Sequence, residues 1–516
     1  MSVDWFSSVK LARGANAYSL YVLALLLFAY LLNQLDRYAL AIVTKPAAQE
    51  IGYGDKGCMI RETLTVSNFT NKDCVDITEE FQCGEKTFGN TSSVCTWNYT
   101  GRGFDYQILA GPMFIGIYTF AAIPVGIAAD TYNRKILLGI SVAFWSVCTL
   151  LSGFVDSYWQ LLVLRFGLGL GQSGCTPYAT SLISDYFAEE LRGAALGVYN
   201  WGIYTGYSMS FALGNLITRA NINGQGWRWV FIIAGMPGIL LGLLIILTVK
   251  EPQRAKPKNE EASSGKNTTR DKLSGIMITF CRPSVLLLCI AGSIRNAAGY
   301  VWAYNTQIYF ESIGETGTDI AKWLSWIPMV AGSIGVLVGG FISDRFVVKS
   351  GPHGRIWVLI LSQVFAAPFA AGALLFPTPY AYISLIPNYI IGEMWVSVTL
   401  AVLVELVPSS IKTTSVAVYF FIISNIGGNM PLLVPVLRPI FQSFGFTQLE
   451  SIRYTLLTLY PGEYLIASAL FLVTLFVLKR DIQYIESLGK ASKADIVTSV
   501  ENMQNDTNQE SNQTKL

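Results

Sequence analysis

Hydrophobic and polar positions divide the chain into twelve long apolar runs separated by short polar breaks. The first six are 18–43, 106–129, 136–154, 158–183, 194–217 and 229–249. After a polar stretch come 284–310, 320–342, 356–376, 381–406, 413–437 and 455–478. Each run is about 20 residues or longer, enough for a helix rising 1.5 Å per residue to cross the hydrocarbon core. The pattern predicts an all-α membrane protein with twelve transmembrane helices in two pseudo-symmetric six-helix bundles, 18–249 and 284–478. Segment 1–17 is read as a cytosolic N-terminus, 44–104 as a large outer loop, 250–283 as a cytosolic linker and 479–516 as a disordered cytosolic tail. The stretch before the first run is short, basic at Lys10 and Arg13 and without a cleavage site, so that run is read as a retained helix.

A repeat supports the two bundles. Gly126–Lys135 reads GIAADTYNRK, and Gly340–Lys349 reads GFISDRFVVK, at an offset of 214 residues (340 minus 126). A second echo follows, Asp185 with Arg192 and Glu405 with Lys412, at an offset of 220 (405 minus 185). Repeated halves in a polytopic chain point to bundles that rock about a shared central site. The residues assigned to gating are Gly126, Asp130, Arg134, Lys135, Asp185 and Arg192, then Gly340, Asp344, Arg345, Glu405 and Lys412. Glycine lets a neighbouring helix approach, and the acids can latch onto bases across a loop. The pattern GxxxDxxxRK between the second and third runs resembles the loop signature of the major facilitator superfamily. That resemblance implies two six-helix bundles and transport by alternating access.

Composition fits the membrane class. Hydrophobic residues make up 52% of the 516, charged residues only 14%, and mean hydropathy is +0.43. Soluble domains carry about a quarter charged residues. The net charge of +2 gives no reason to expect a nucleic-acid partner. Lys250, Arg254, Lys256, Lys258, Lys266, Arg270, Lys272 and Arg282 crowd the middle linker, which sets that side as cytosolic. Loop 44–104 then lies outside, and it holds Cys58, Cys74, Cys83 and Cys95 with sequons at Asn68, Asn90 and Asn98. Such clustering reads as a disulfide-bonded, glycosylated loop. Four cysteines allow three pairings, and the sequence does not choose.

Charges inside the apolar runs cost several kcal/mol and need a reason. They are Asp36 and Arg37 in the first run, Arg165 in the fourth, Arg295 in the seventh and Glu393 in the tenth. In the major facilitator fold these helices line the cavity. Helical rise puts Asp36 and Arg165 each roughly 10 Å below the outer end, so a pair is expected there. Glu393 and Arg295 fall roughly 18 and 22 Å deep, so a second pair is expected near the midplane. Asn33, Gln34, Gln172, Asn200, Asn296, Tyr300, Tyr304 and Asn388 are polar neighbours suited to a wet cavity or to helix packing.

Asn33-x-x-Asp36-Arg37, Arg165-Phe-Gly-Leu-Gly169-Leu-Gly171, Pro177, Asp185-x-Phe187 and Arg192 are similar to the spinster branch of that superfamily. The resemblance implies export of lysophospholipids or sphingoid phosphates, with Asp36, Arg37 and Arg165 in the transport network. The chain departs at Gln172, where spinsters place a Glu. Organic-anion transporters share the Arg-x-x-x-Gly fourth helix and remain the alternative.

The reading is a secondary active transporter for a small organic or amphiphilic anion, embedded in the lipid bilayer and needing no cofactor or metal. Its substrate-binding and coupling residues are Asp36, Arg37, Arg165, Gln172, Arg295 and Glu393, and its membrane is the plasma membrane rather than the lysosomal one. A transport-inactive receptor or scaffold is the remaining alternative. A single histidine, His353, and the lack of a phosphate-cradling GxxxxGK[ST] argue against an enzyme or an ATP-driven pump. The final Thr514-Lys-Leu516 fits capture by a PDZ domain.

Overall fold

The first helix sets the frame. α1, Ala17–Ile51, starts at Asn16, whose side chain accepts from the Tyr18 N–H at 3.3 Å. It runs straight through Pro46 and stops at Gly52, whose φ of 74° a side chain would oppose. The helix therefore outlasts the apolar run by two turns. Those turns, buried at Thr44, Ala47 and Ala48, are roofed by the outer loop. Asp36 consequently sits near the middle of α1, deeper than the run's end implied.

In this computed structural model the described residues are 16–60, 74, 77, 79–85, 94–252, 276–351, 353–407, 412–478 and 480–481. The other spanning rods are α2 Phe104–Ala128, α3 Arg134–Ser152, α4 Tyr158–Gln172 continued as Cys175–Tyr186, α5 Glu189–Ala220 and α6 Gly226–Thr248. The second half supplies α7 Pro283–Ser312, α8 Gly317–Val348, α9 His353–Leu375, α10 Tyr380–Leu406, α11 Thr414–Ser443 and α12 Gln448–Leu478. The protein is an all-α, multi-pass membrane protein whose long apolar helices fall into two successive sets.

Irregularities recur in both halves at matching places. α4 breaks after Gln172 and α10 breaks at Glu393. α2 carries a π-turn at Gly111–Gly116 and α8 one at Pro328–Gly332, each opened by proline near its start. Small residues let rods touch. A Cβ on Gly206 of α5 would lie 2.3 Å from the Leu31 carbonyl of α1, so only glycine permits that crossing.

The outer loop forms a cap. β1, Lys56–Ile60, pairs antiparallel with β2, Cys95–Tyr99, with Cys58 opposite Trp97. Disulfides Cys58–Cys83 and Cys74–Cys95 tie the cap together, which chooses one of the three pairings. Asn98 lies on β2, partly exposed, whereas Asn68 and Asn90 are outside the described residues.

Apolar packing differs at the two ends. One buried core is shared by both halves, joining Tyr106 and Leu109 of α2 to Tyr304 and Ile308 of α7. A second core belongs to the cytosolic part of the second half alone, with Leu288, Leu359, Leu403 and Phe471. The halves thus share a core at the outer side, and the cytosolic part of the second half keeps one of its own.

Candidate transport site

Arg37 occupies the seam between the halves. Its guanidinium lies 4.7 Å from the Tyr118 ring and 5.1 Å from the Phe114 ring, the latter on the π-turn of α2. Tyr38, Tyr300 and Tyr304 complete the surroundings from α1 and α7. Tyr38 and Tyr304 ring centres are 5.5 Å apart, so the halves meet ring to ring. Five aromatic rings around one cation give surroundings that are apolar at the sides and positive at the centre.

Arg165 stands on the next helix face. Its Nη1 donates to the Arg37 carbonyl at 3.4 Å, and Gln172 Nε2 donates to the Asn33 carbonyl at 3.0 Å, so α4 is bonded to the α1 backbone. The expected Asp36–Arg165 ion pair does not form. Among the described residues both Asp36 oxygens lack a hydrogen bond, and the carboxylate faces Thr149 and Trp145 of α3 with Arg165 in electrostatic range. The depth match was sound, but the α1 register turns Asp36 toward α3 instead. Among the described residues, Arg37 Nε, Arg165 Nη2, Asn33 Nδ2 and the Tyr304 hydroxyl are also buried without partners. Four donors on α1, α4 and α7 lack acceptors in this small region. Tyr304 lies in electrostatic range of both arginines.

The second-half pair does form. Arg295 donates to Glu393 at 3.2 Å and to the Gly392 carbonyl at 2.8 Å, and it also bonds Gln363. The break in α10 frees that carbonyl. The Arg295 guanidinium packs 4.2 Å from the Tyr464 ring. Tyr204 of α5 donates to the other Glu393 oxygen at 3.1 Å, which makes the pair a link between halves. Glu463 on α12, 3% exposed with Oε2 unpartnered, lies in electrostatic range of Arg295. As the lone acid within 455–478 it was visible in the sequence, beside the five charges counted there. Asn296 and Asn388 serve packing, donating to the Ile423 carbonyl and the Tyr460 hydroxyl.

Above this level polar bonds close the outer side. The Tyr106 hydroxyl donates to the Tyr304 carbonyl at 2.6 Å, and Gln107 donates to Asn305 at 2.9 Å. Asn215 of α5 exchanges bonds with Gln307 of α7 at 2.9 and 3.2 Å.

At the cytosolic ends each half carries a latch. Arg134 bridges Asp185 at 2.6 Å and Glu251 at 2.8 Å, and Lys135 Nζ donates to the Ile246 carbonyl. Arg192 donates to the Ser184 carbonyl at 2.7 Å. In the second half the base is Arg355, bridging Asp344 and Glu405 at 2.8 Å each. Arg345, the expected base, lies over the ring of its own helix neighbour Phe341 instead. Arg355 follows Arg134 at an offset of 221 (355 minus 134), matching the 220 that relates Asp185 to Glu405. The offset of 214 aligned the glycines, but the helix carrying the second motif continues past Val348 to Ser350, so the base at the start of the following helix falls later, at Arg355 of α9, as Arg134 opens α3. Gly126 and Gly340 are not tightly packed. The side chains of Asp130 and Lys412, and residues 514–516, lie outside the described residues.

Charged networks at the seam of two six-helix halves, closed on one side, define a membrane transporter. The model of the Major Facilitator Superfamily matches residues 26–430. The chain belongs to that superfamily, on its spinster branch. Protein spinster homolog 1 of Xenopus laevis is 27% identical over 395 residues, 70% of this chain and 73% of that protein. A sphingosine-1-phosphate transporter of Danio rerio is 30% identical over 182 residues, 35% of this chain and 32% of that protein. A bacterial homolog of the human lysosomal transporter Spinster, inward-facing and unoccupied, aligns with a TM-score of 0.68 at 21% identity. That match covers 91% of this chain and 99% of that one, and concerns the fold.

Proposed function

We propose that the protein is a secondary active transporter that moves an amphiphilic organic anion, a lysolipid or lipid phosphate, by alternating access. The observation that carries this reading is the unpartnered Arg37 Nε within five aromatic rings, beside unpartnered Arg165 Nη2 and Tyr304 hydroxyl. Donors without acceptors suit an anionic head group, and ring walls suit an acyl or sphingoid chain. The sphingosine-1-phosphate transport of the Danio rerio relative agrees with that chemistry. Asp36, Arg37, Arg165, Gln172, Arg295 and Glu393 are the assigned binding and coupling residues. Plasma membrane residence is part of the proposal, and surface biotinylation against lysosomal fractionation tests it.

Proteoliposome uptake decides the substrate. Labelled sphingosine 1-phosphate, a lysophospholipid and a short carboxylate are offered to wild type and to Arg37→Ala. Saturable uptake of a lipid anion, lost in Arg37→Ala, supports the reading. Uptake of the carboxylate alone supports the organic-anion alternative. No uptake at all leaves a receptor or scaffold.

A further inference from the structure

Where the outer cap meets the second half, two guanidiniums face one another outside the network described so far. Arg102 lies in the turn between β2 and α2, and Arg438 on the outer end of α11. Both line the same two adjoining cavities, each of about 30 Å³. That is room for more than one water, or for the oxygens of a small oxyanion. Lys45 adds a third cation to the lining of one of them.

The arrangement is unfavourable as it stands. Burial, and next the neighbouring Arg438, push Arg102 down to about 9. Among the described residues the Arg102 side chain makes no hydrogen bond or ion pair, and its enclosed Nε has no partner. Arg438 reaches Asp55 at 3.4 Å and Gln448, yet its Nε is also enclosed and unpartnered. The acids nearby are partly engaged: Asp55 with Arg438, and Glu311 accepting from Gln307 at 2.7 Å. Two half-buried guanidiniums side by side, each with an enclosed Nε that has no partner among the described residues, cost free energy and suit an anion.

We propose that this is an oxyanion site in which a phosphate group, free or on a lipid head, sits between Arg102 and Arg438. Guanidinium forks grip phosphate through paired, charge-assisted hydrogen bonds. The two arginines belong to different halves, so the site is complete only while the outer side is closed. Phosphate outside the membrane therefore favours the outward-closed state by the difference in its affinity for the two states. The inference does not depend on what the central site carries.

The test is thermal unfolding of the purified full-length protein in detergent, at fixed ionic strength. Inorganic phosphate and dioctanoyl phosphatidate are titrated separately against chloride. Wild type is expected to gain stability saturably. Arg102→Ala, which loses no bond, is expected to be at least as stable without phosphate and to bind it about tenfold more weakly or worse. Arg438→Gln is the second variant, and phosphorus NMR line broadening of inorganic phosphate reads occupancy directly. A response to inorganic phosphate identifies a free anion, and a response to phosphatidate alone identifies a lipid head. No saturable response to either, or an equal response in Arg102→Ala, overturns the proposal.

Discussion

Tyr204 on the first half donates to Glu393 on the second at 3.1 Å, while Arg295 holds the other carboxylate oxygen at 3.2 Å. One carboxylate is thus shared between a fixed partner in its own bundle and a removable partner in the other. The removable bond exists only when the seam is closed at this depth, so it biases the choice of state.

Tyr204→Phe isolates that bias. A hydrogen bond to a charged group is worth about 1.5–3 kcal/mol net, so its loss moves the state ratio by about tenfold or more. Folding is spared because Arg295 keeps Glu393 paired. Asn305→Cys, at the outer seam, should react faster with an impermeant maleimide in the Tyr204→Phe background. Unchanged labelling would show that the bond carries no conformational bias.

The second-half latch gives a choice between neighbours. Arg355 makes ion pairs with Asp344 and Glu405, and among the described residues Arg345 makes a ring contact only. Arg355→Ala should cut transport severely with surface expression retained, whereas Arg345→Ala should stay near wild type. Removing one cation strands two acids at a partly buried site, which is the expensive case. Equal loss in both variants would refute the assignment of Arg355.

These comparisons explain what could be read in advance. Run length and spacing revealed the bundles, because a helix in lipid must be apolar all along its length. They also placed the Arg295–Glu393 pair, since both residues lie within uninterrupted runs on facing helices. What escaped was rotation and continuation. Counting along the runs put Asp36 level with Arg165, but only packing reveals that it turns toward Thr149 and Trp145. Nor does composition show that α1 continues beneath a cap. Arg355 hid for a related reason: the helix overruns the motif, so the base that opens the next helix falls beyond Lys349. Tyr300 and Tyr304 stood out as polar positions in a run, but Tyr204, Tyr38, Phe114 and Tyr118 gave no signal, because aromatic residues abound in this chain and are ordinary in spans.

The cap offers a covalent check. With Cys58 paired to Cys83 and Cys74 to Cys95, each bridge closes a short loop and is expected to contribute about 2–4 kcal/mol to the cap. Non-reducing peptide mapping should recover those two links. Joint replacement of Cys58 and Cys83 by serine should lower the unfolding temperature and expose the outer end of α1 to proteases. Recovery of Cys58–Cys95 or Cys58–Cys74 peptides would contradict the connectivity.

Asp36 allows stability and transport to be separated. An acid that held Arg165 in an ion pair would be costly to lose, because breaking one partner of a buried pair costs about 3–5 kcal/mol. Here neither Asp36 oxygen accepts a hydrogen bond, and Arg165 is anchored through the Arg37 carbonyl instead. Asp36→Asn keeps the shape and removes only the charge, so unfolding should change by less than about 1 kcal/mol. Transport should nevertheless collapse if the charge couples substrate release to gating. Arg165→Lys keeps a charge but loses the planar fork, so transport should fall there too, at normal surface level. Thermal unfolding and uptake measured on the same preparations decide the matter. A large loss of stability in Asp36→Asn would restore a structural ion pair, and normal uptake in both variants would remove Asp36 and Arg165 from the transport site.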